Sequence, residues 1–440
     1  LTTTDRTSVR VFAAVVRPLQ AFIRLEAASG ILLLMCAVVA LVWANVHGAS
    51  YRAAFDYPLA VAAGGSAASF TVRALINDGF MAVFFFVVGM EIKRELAIGE
   101  LSSMSKASLP AVAALGGMLV PAGMFLALNW GQAGQRGWGI PMATDIAFCV
   151  GILTLLGDRV SRPLVVFVTA LAIFDDIGGI LVIAFFYGHG LSGTWLLVAV
   201  AVTAVSFAMN RAHLKSGLAW ALAGAGLWLA LHQGGIHATI SGVVLGLMIP
   251  ARARRSSRDV LHELAAHVST LDEKPHDVEL DAAQILAIEQ KLEHLQAPLQ
   301  RFVHLLHPLV AFGVMPVFAL ANSGVSLAGS GLSAAFAPVA LGAAAGLFLG
   351  KQLGIFAFTL VAVKLRLAPM PGGASIAKLW GVSVIAGVGF TVALFIASLA
   401  FADAPDLLNQ SKLGIVLGSV AAGVTGFAIL RLTARGRDPA

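Results

Sequence analysis

The sequence predicts an all-α integral membrane protein of about twelve transmembrane helices, on three observations. Apolar and aromatic residues make up 58% of the 440-residue chain and 46 glycines add to them, against about 45–50% with glycine included in soluble domains. Apolar runs close to 20 residues long, enough to cross a hydrocarbon core of about 30 Å, recur along the chain. Charged residues are only 12% of the total and sit mostly in short clusters between those runs.

The runs fall near 27–46, 74–92, 108–128, 137–157, 163–187, 193–210, 216–232, 236–250, 303–325, 338–363, 379–402 and 412–431. They divide the chain into an amino-terminal segment (1–26), spans one to eight (27–250), a polar loop (251–302), spans nine to twelve (303–431) and a tail (432–440). Arg6, Arg10, Arg17 and Arg24 precede the first run, where a basic amphipathic surface helix and a solvated tail are equally open readings. That run is too long for a secretory signal and has no cleavage site after it, so it is expected to stay in the mature chain. The long loop holds Arg252, Arg254, Arg255 and Arg258, then apolar residues at helical spacing from Leu261 to Leu295, which predict one or two amphipathic helices.

An even number of spans places both ends on one side. The loops on that side carry 24 of the 29 basic residues, and the opposite side only Arg52, Arg73, Arg136 and Lys412. The positive-inside rule then puts both termini in the cytoplasm. The net charge of +6 follows from this topology, because the basic residues are dispersed; no nucleic-acid partner is indicated. Cys36 and Cys149 both lie in apolar runs and read as small packing residues, without a disulfide framework.

An ionisable group at mid-bilayer costs about 2.5–3.5 kcal/mol on insertion scales, so such groups mark functional positions. Asp145 lies eight residues into span four, Asp175 and Asp176 midway along span five, and Lys351 midway along span ten, all near one depth. Asp78, Glu91 and Glu95 sit toward the ends of span two, where charges are common. Three carboxylates and one ammonium leave negative charge to spare, which invites a small hard cation or a proton, each excluding the other. Repulsion between adjacent Asp175 and Asp176, opposed by Lys351, predicts a site that titrates as a coupled unit. Glycine and proline add a second signal. Gly139, Pro141 and Gly151 surround Met142 to Asp145 in span four, and Gly381, Gly387 and Gly389 surround Ile385 to Thr391 in span eleven. Both spans are therefore expected to be interrupted, which membrane helices tolerate only around a cavity or within protein.

Exchange of a cation for protons is one function these residues suggest. A sodium-coupled symporter of an organic solute is another, disfavoured because few polar groups line the spans. A membrane enzyme with an Asp-pair metal site would need further carboxylates near the aqueous boundary, and Ile177-Gly178-Gly179-Ile180 supplies none. An intramembrane aspartyl protease could use Asp145 and Asp176 but leaves Lys351 unexplained. No cofactor is expected beyond the transported ions.

The chain resembles the NhaA family of bacterial sodium/proton antiporters over nearly its whole length. The matching segments include Ile76-Asn77-Asp78-Gly79, Val88-Gly89-Met90-Glu91, Pro141-Met142-Ala143-Thr144-Asp145, Phe174-Asp175-Asp176-Ile177, His237-Ala238-Thr239, His307-Pro308, Gly350-Lys351-Gln352 and Gly389-Phe390-Thr391. The resemblance implies inverted repeats with two crossed discontinuous helices at spans four and eleven. It implies electrogenic exchange of sodium or lithium for protons by alternating access, activated at alkaline pH, in a homodimer joined through the segment from Arg52 to Ser69. It puts the ion-binding carboxylates at Asp175 and Asp176, with Asp176 as the direct sodium ligand, the helix-crossing pair at Thr144 and Asp145, and Lys351 beside Asp175. It assigns the pH response to Glu91, Glu95, His237, His304 and His307, with Asp78 toward the entry. One departure stands out: relatives often read Leu-Glu-His before His-Pro, whereas this chain has Phe302-Val303-His304 and lacks that glutamate.

Overall fold

The computed structural model describes residues 28–63, 66–188, 190–214, 216–251, 297–326 and 332–433. The amino-terminal segment read as a surface helix or a tail, the helices expected within 261–295 and the end of the tail lie outside the described residues. In chain order the elements are α1 (Ala28–Val46), α2 (Gly48–Phe55), β1 (Pro58–Ala63), β2 (Ser66–Thr71), α3 (Val72–Ile98), α4 (Met104–Asn129), a 3-10 segment (Ala133–Met142) leading to α5 (Ile146–Leu156), and α6 (Arg162–Phe186). Then come α7 (Gly193–Arg211), α8 (Gly217–Gln233), α9 (Ile240–Met248), α10 (Pro298–Asn322), α11 (Pro338–Lys364), α12 (Ile376–Ile385), α13 (Phe390–Ala400) and α14 (Pro405–Thr433).

Among the described residues, eight helices are long and apolar enough to cross a membrane, and the number reaches ten if each of two bent pairs is one span. The pairs are the 3-10 segment with α5, bent by 41°, and α12 with α13, bent by 45°, at the two spans where interruptions were expected. The runs predicted at 216–232 and 236–250 instead form helices of 17 and 9 residues. Gly235, at a φ of +79°, turns the chain after α8, and Ile249 adopts an extended conformation before Pro250, which ends α9.

One short element accompanies the helices. Between α2 and α3 the chain forms an antiparallel hairpin, with Pro58 opposite Thr71 and Ala63 opposite Ser66. The segment is rich in Ala and Ser and lacks the branched alternation that announces a strand, although Gly64-Gly65 is a hairpin-turn signal.

Contacts group the chain into two units. The first comprises Leu1–Met81, Glu100–His189 and Val310–Ala440. Its centre is the packing of α4 against the second half of α11, where a Cβ on Gly116 or Gly354 would run into the backbone of the other. Small residues do the same between α14 and α11, with Gly414 over Ala340 and Gly418 over Ala344. Lipid tails are as apolar as leucine, so helices in a bilayer gain by close backbone contact more than by burying apolar area. Consistent with this, large apolar side chains such as Leu119 (61% exposed) and Phe185 (78%) face outward. A π-helical turn, Gly346–Gly350, immediately precedes Lys351 in α11.

The second unit comprises Ala82–Gly99 and Gly190–Leu309. Here α9 packs on the later part of α3, with Gly242 against the Ala82 carbonyl and Gly246 against Phe86 and Met90. Lys93 Nζ donates to the Leu247 carbonyl at 2.8 Å, satisfying an acceptor at the end of α9. Ala199, Leu227, Ala230 and Leu231 form a small core between α7 and α8.

Candidate functional site

Pro141 has no N–H, and the glycines around it weaken the helix, so the chain leaves helical geometry at Ala143 to Asp145, which are extended. The second break, at Ala386 to Gly389, faces it. The two breaks satisfy each other's freed groups. Asp145 N donates to the Val388 carbonyl at 2.7 Å, Thr144 Oγ1 lies 3.0 Å from the Ala386 carbonyl, and Cys149 Sγ lies 3.2 Å from that of Ile385. Asp145 caps α5, its Oδ1 accepting from Phe148 N at 3.3 Å. Its Oδ2 accepts from Thr391 N at 3.0 Å and from Thr391 Oγ1 at 2.5 Å, across the crossing. Gly389 is required here because a Cβ would collide with the Ala143 carbonyl.

Beside the crossing lies a buried ion pair. Lys351 and Asp175 are both fully buried, and the Lys351 ammonium donates to Asp175 Oδ2 and, at 2.7 Å, to Thr144 Oγ1. The Thr144 hydroxyl in turn reaches Asp175 Oδ2 at 2.7 Å. Asp175 Oδ1 is buried and has no hydrogen-bond partner among the described residues. Asp176, the next residue on α6, is also buried.

The predicted charge surplus therefore divides. Lys351 offsets Asp175, three donors hold the Asp145 carboxylate at the crossing, and Asp176 is a further buried acidic group on the same helix as Asp175. The structure brings Thr144, Asp175 and Lys351 into direct contact. Asp145 joins them through the chain at Thr144, with its own carboxylate directed to Thr391. That threonine stands in the matching Gly389-Phe390-Thr391 segment but was not singled out, because its role depends on a residue 246 positions away.

The residues assigned to the pH response are spread more widely. In the second unit His307 Nε2 lies 4.0 Å from Glu91 Oε1, Glu95 pairs with Arg94 at 3.2 Å, and His304 is exposed. His237 shares a 2.7 Å hydrogen bond with the Thr239 hydroxyl. Asp78, in the first unit, stands in a π-helical turn, Leu75–Phe80. Neighbouring Asn77 pairs with Asn322 of α10, Asn322 Nδ2 donating to Asn77 Oδ1 at 2.8 Å.

The sequence pattern of the family described as Na+/H+ antiporter 1 matches residues 20–430. The chain belongs to that family. It is 59% identical over 436 residues to the Na(+)/H(+) antiporter NhaA of Anaeromyxobacter sp. (strain Fw109-5), covering 98% of this chain and 95% of that one. It is 56% identical over 431 residues to Na(+)/H(+) antiporter NhaA 1 of Myxococcus xanthus, with 98% and 96% covered, and 39% identical over 433 residues to the NhaA of Sulfurimonas denitrificans, with 97% and 98% covered. Membership of this family identifies a multi-pass bacterial membrane protein and a transporter, which sets aside the metal-enzyme and protease readings.

The brace at the crossing can be tested alone. Thr391→Val removes the hydroxyl donor to Asp145 and keeps the backbone one, so it should cost about 1.5–3 kcal/mol, the range for a hydrogen bond to a charged group. Thr391→Ser should keep most of that stability. Thermal unfolding of the two variants in one detergent measures the difference, and equal melting temperatures would remove the brace.

Proposed function

We propose that this chain exports sodium or lithium from a bacterial cytoplasm in exchange for protons, as a secondary active, electrogenic antiporter working by alternating access. The observation that carries the proposal is the orphan oxygen. Asp175 Oδ1 is buried without a hydrogen-bond partner among the described residues, one residue from a second buried acid on the same helix and next to the crossing of two interrupted helices. A dehydrated cation needs oxygen ligands, and the carboxylates of Asp175 and Asp176 supply them.

Protons and sodium compete for this set. With the site ion-free, the ammonium of Lys351 neutralises Asp175. A sodium ion arriving at Asp175 and Asp176 places a second positive charge beside that ammonium in a medium of low dielectric, where like charges repel strongly. The ion competes with that ammonium for Asp175 and needs the carboxyl of Asp176 deprotonated to serve as ligand, so protons leave as sodium enters. With more protons than sodium ions exchanged, each cycle moves net charge. Alkaline cytoplasm empties the site of protons and lets sodium in; protons on the outer side refill it and expel the ion. Asp145, held by Thr391, fixes the crossing about which the two half-helices change their exposure.

The distribution of basic residues supports cytoplasmic termini. The hairpin Pro58–Thr71 lies in the segment assigned to pairing of two copies, and a strand pair with free edges can extend across a two-fold axis. Deleting residues 60–69 should convert a dimer to a monomer on size exclusion with light scattering; an unchanged mass would place the interface elsewhere.

Acidified everted membrane vesicles test the exchange. Sodium or lithium should dissipate the proton gradient more strongly as pH rises from about 6 to 8.5, since a deprotonated site is the one that accepts the ion. Asp176→Asn should abolish the response while the protein remains inserted, and a variant with normal exchange would remove Asp176 from the mechanism.

The Glu91–His307 contact forms an ion pair only when His307 is protonated, so it is a contact of the acid side of the profile. We infer that it holds the inactive form. Glu91→Gln should then shift half-activation toward acid pH by roughly 0.5–1 unit, the scale of a partly exposed pair worth about 1 kcal/mol. A shift toward alkaline pH would contradict that role.

A further inference from the structure

Gly116 and Gly117 stand side by side near the middle of the 26-residue helix α4. Glycine weakens a helix, so each needs a physical reason. Gly116 has one in its close approach to Gly354 of α11. Gly117 is different, because the three atoms nearest to a Cβ placed there all belong to side chains. They are Ile355 Cγ1 at 2.8 Å, Ile355 Cδ1 at 3.3 Å and Asp175 Oδ1 at 3.8 Å.

The last of these is the orphan oxygen. The other oxygen of the same carboxylate, Oδ2, faces the Lys351 ammonium and the Thr144 hydroxyl, which leaves Oδ1 turned toward α4. The packing of α4 on α6 agrees. Gly178, three residues after Asp175 and on the same face of α6, lies against Met118, where a Cβ would come within 2.1 Å of Sδ. The free edge of a fully buried carboxylate therefore looks at a bare Cα.

Admitting Ile355 is one use for that glycine, and the contact is tight enough to require it. It does not account for the oxygen. A buried acceptor left unmet is costly, and an alanine methyl would leave it unmet while closing the space in front of it. Carbon and oxygen 3.8 Å apart are in van der Waals contact, with no room for a third atom between them.

We propose that Gly117 sets the size of the ion site: its missing side chain leaves the space in which a dehydrated sodium ion meets Asp175 Oδ1, and so decides how well sodium is accepted relative to the smaller lithium. This role rests on the antiport reading and names what selects its ion. Selectivity among alkali ions depends on the room and the oxygen ligands that a site offers. A methyl at Gly117 takes away room and no ligand, so the larger ion loses more.

Exchange in everted vesicles, measured with sodium and with lithium, tests this on wild type and Gly117→Ala. The variant should raise the apparent KM for sodium about tenfold and that for lithium no more than about twofold, the scale of one added carbon in a binding site. Because the methyl also crowds Ile355, the pair Gly117→Ala with Ile355→Ala separates the two uses of the glycine. If Gly117 only admits Ile355, the pair returns to the sodium-to-lithium ratio of Ile355→Ala alone; if it sizes the site, the ratio stays shifted. An unchanged ratio in Gly117→Ala, or one restored in the pair, would overturn the proposal. Should Gly117→Ala fail to fold, the pair compared with Ile355→Ala carries the same test. Binding supplies a readout apart from transport, since an ion that binds the folded protein raises its melting temperature. In one detergent Gly117→Ala should lose more of the sodium shift than of the lithium shift, and equal losses would count against the role. A wild type that exchanges neither ion would instead remove the antiport reading, and with it the ion for which this position makes room.

Discussion

Within a bilayer every backbone N–H and C=O must find a partner inside the protein, and this structure depends on how that demand is met at two points. Breaking a helix exposes several such groups at once. Here both breaks are placed face to face, so that the amide of Asp145 meets the carbonyl of Val388 and the side chain of Asp145 meets the amide of Thr391. The interruptions are affordable only as a pair. Much else serves this arrangement, including Gly389, which admits the Ala143 carbonyl, and Cys149, which meets that of Ile385.

The buried pair of Lys351 and Asp175 has a different energetic character. Such a pair adds little net stability relative to apolar residues, because both charges lose their water, yet losing one partner costs about 3–5 kcal/mol. That asymmetry suits a transport site. The pair is stable while intact, but a second cation can upset its balance, and Thr144 ties it to the crossing, so charge in the site and geometry at the breaks are coupled through one hydroxyl. Asp145 is the complementary case, a carboxylate whose acceptor positions are filled by one helix cap and one threonine. Of three acidic groups at similar depth, Asp145 is the one braced across the crossing.

Close helix packing makes this possible. Gly116 against Gly354 brings α4 and α11 within backbone contact, which sets the position of Lys351 three residues earlier on α11. On α14, Gly414 and Gly418 do the same against Ala340 and Ala344 of α11.

Much was legible in the chain alone. Runs near 20 residues located ten spans because hydrophobic length is a one-dimensional property, and the isolated positions of Asp145, Asp175, Asp176 and Lys351 stood out because charge is expensive in hydrocarbon. Glycine and proline marked both breaks, since backbone freedom and a missing N–H are local facts. The hairpin was not legible, as Ala and Ser carry little strand signal. The pairing of Lys351 with Asp175 came only through resemblance, because the sequence gives depth along a helix but no azimuth about it. The cap and brace that Asp145 forms, the choice of Thr391 as its partner and the orphan oxygen of Asp175 belong to tertiary structure. Each depends on contacts between residues 31 to 246 positions apart, and a hydrogen bond is decided by distance in space, which spacing along the chain does not encode.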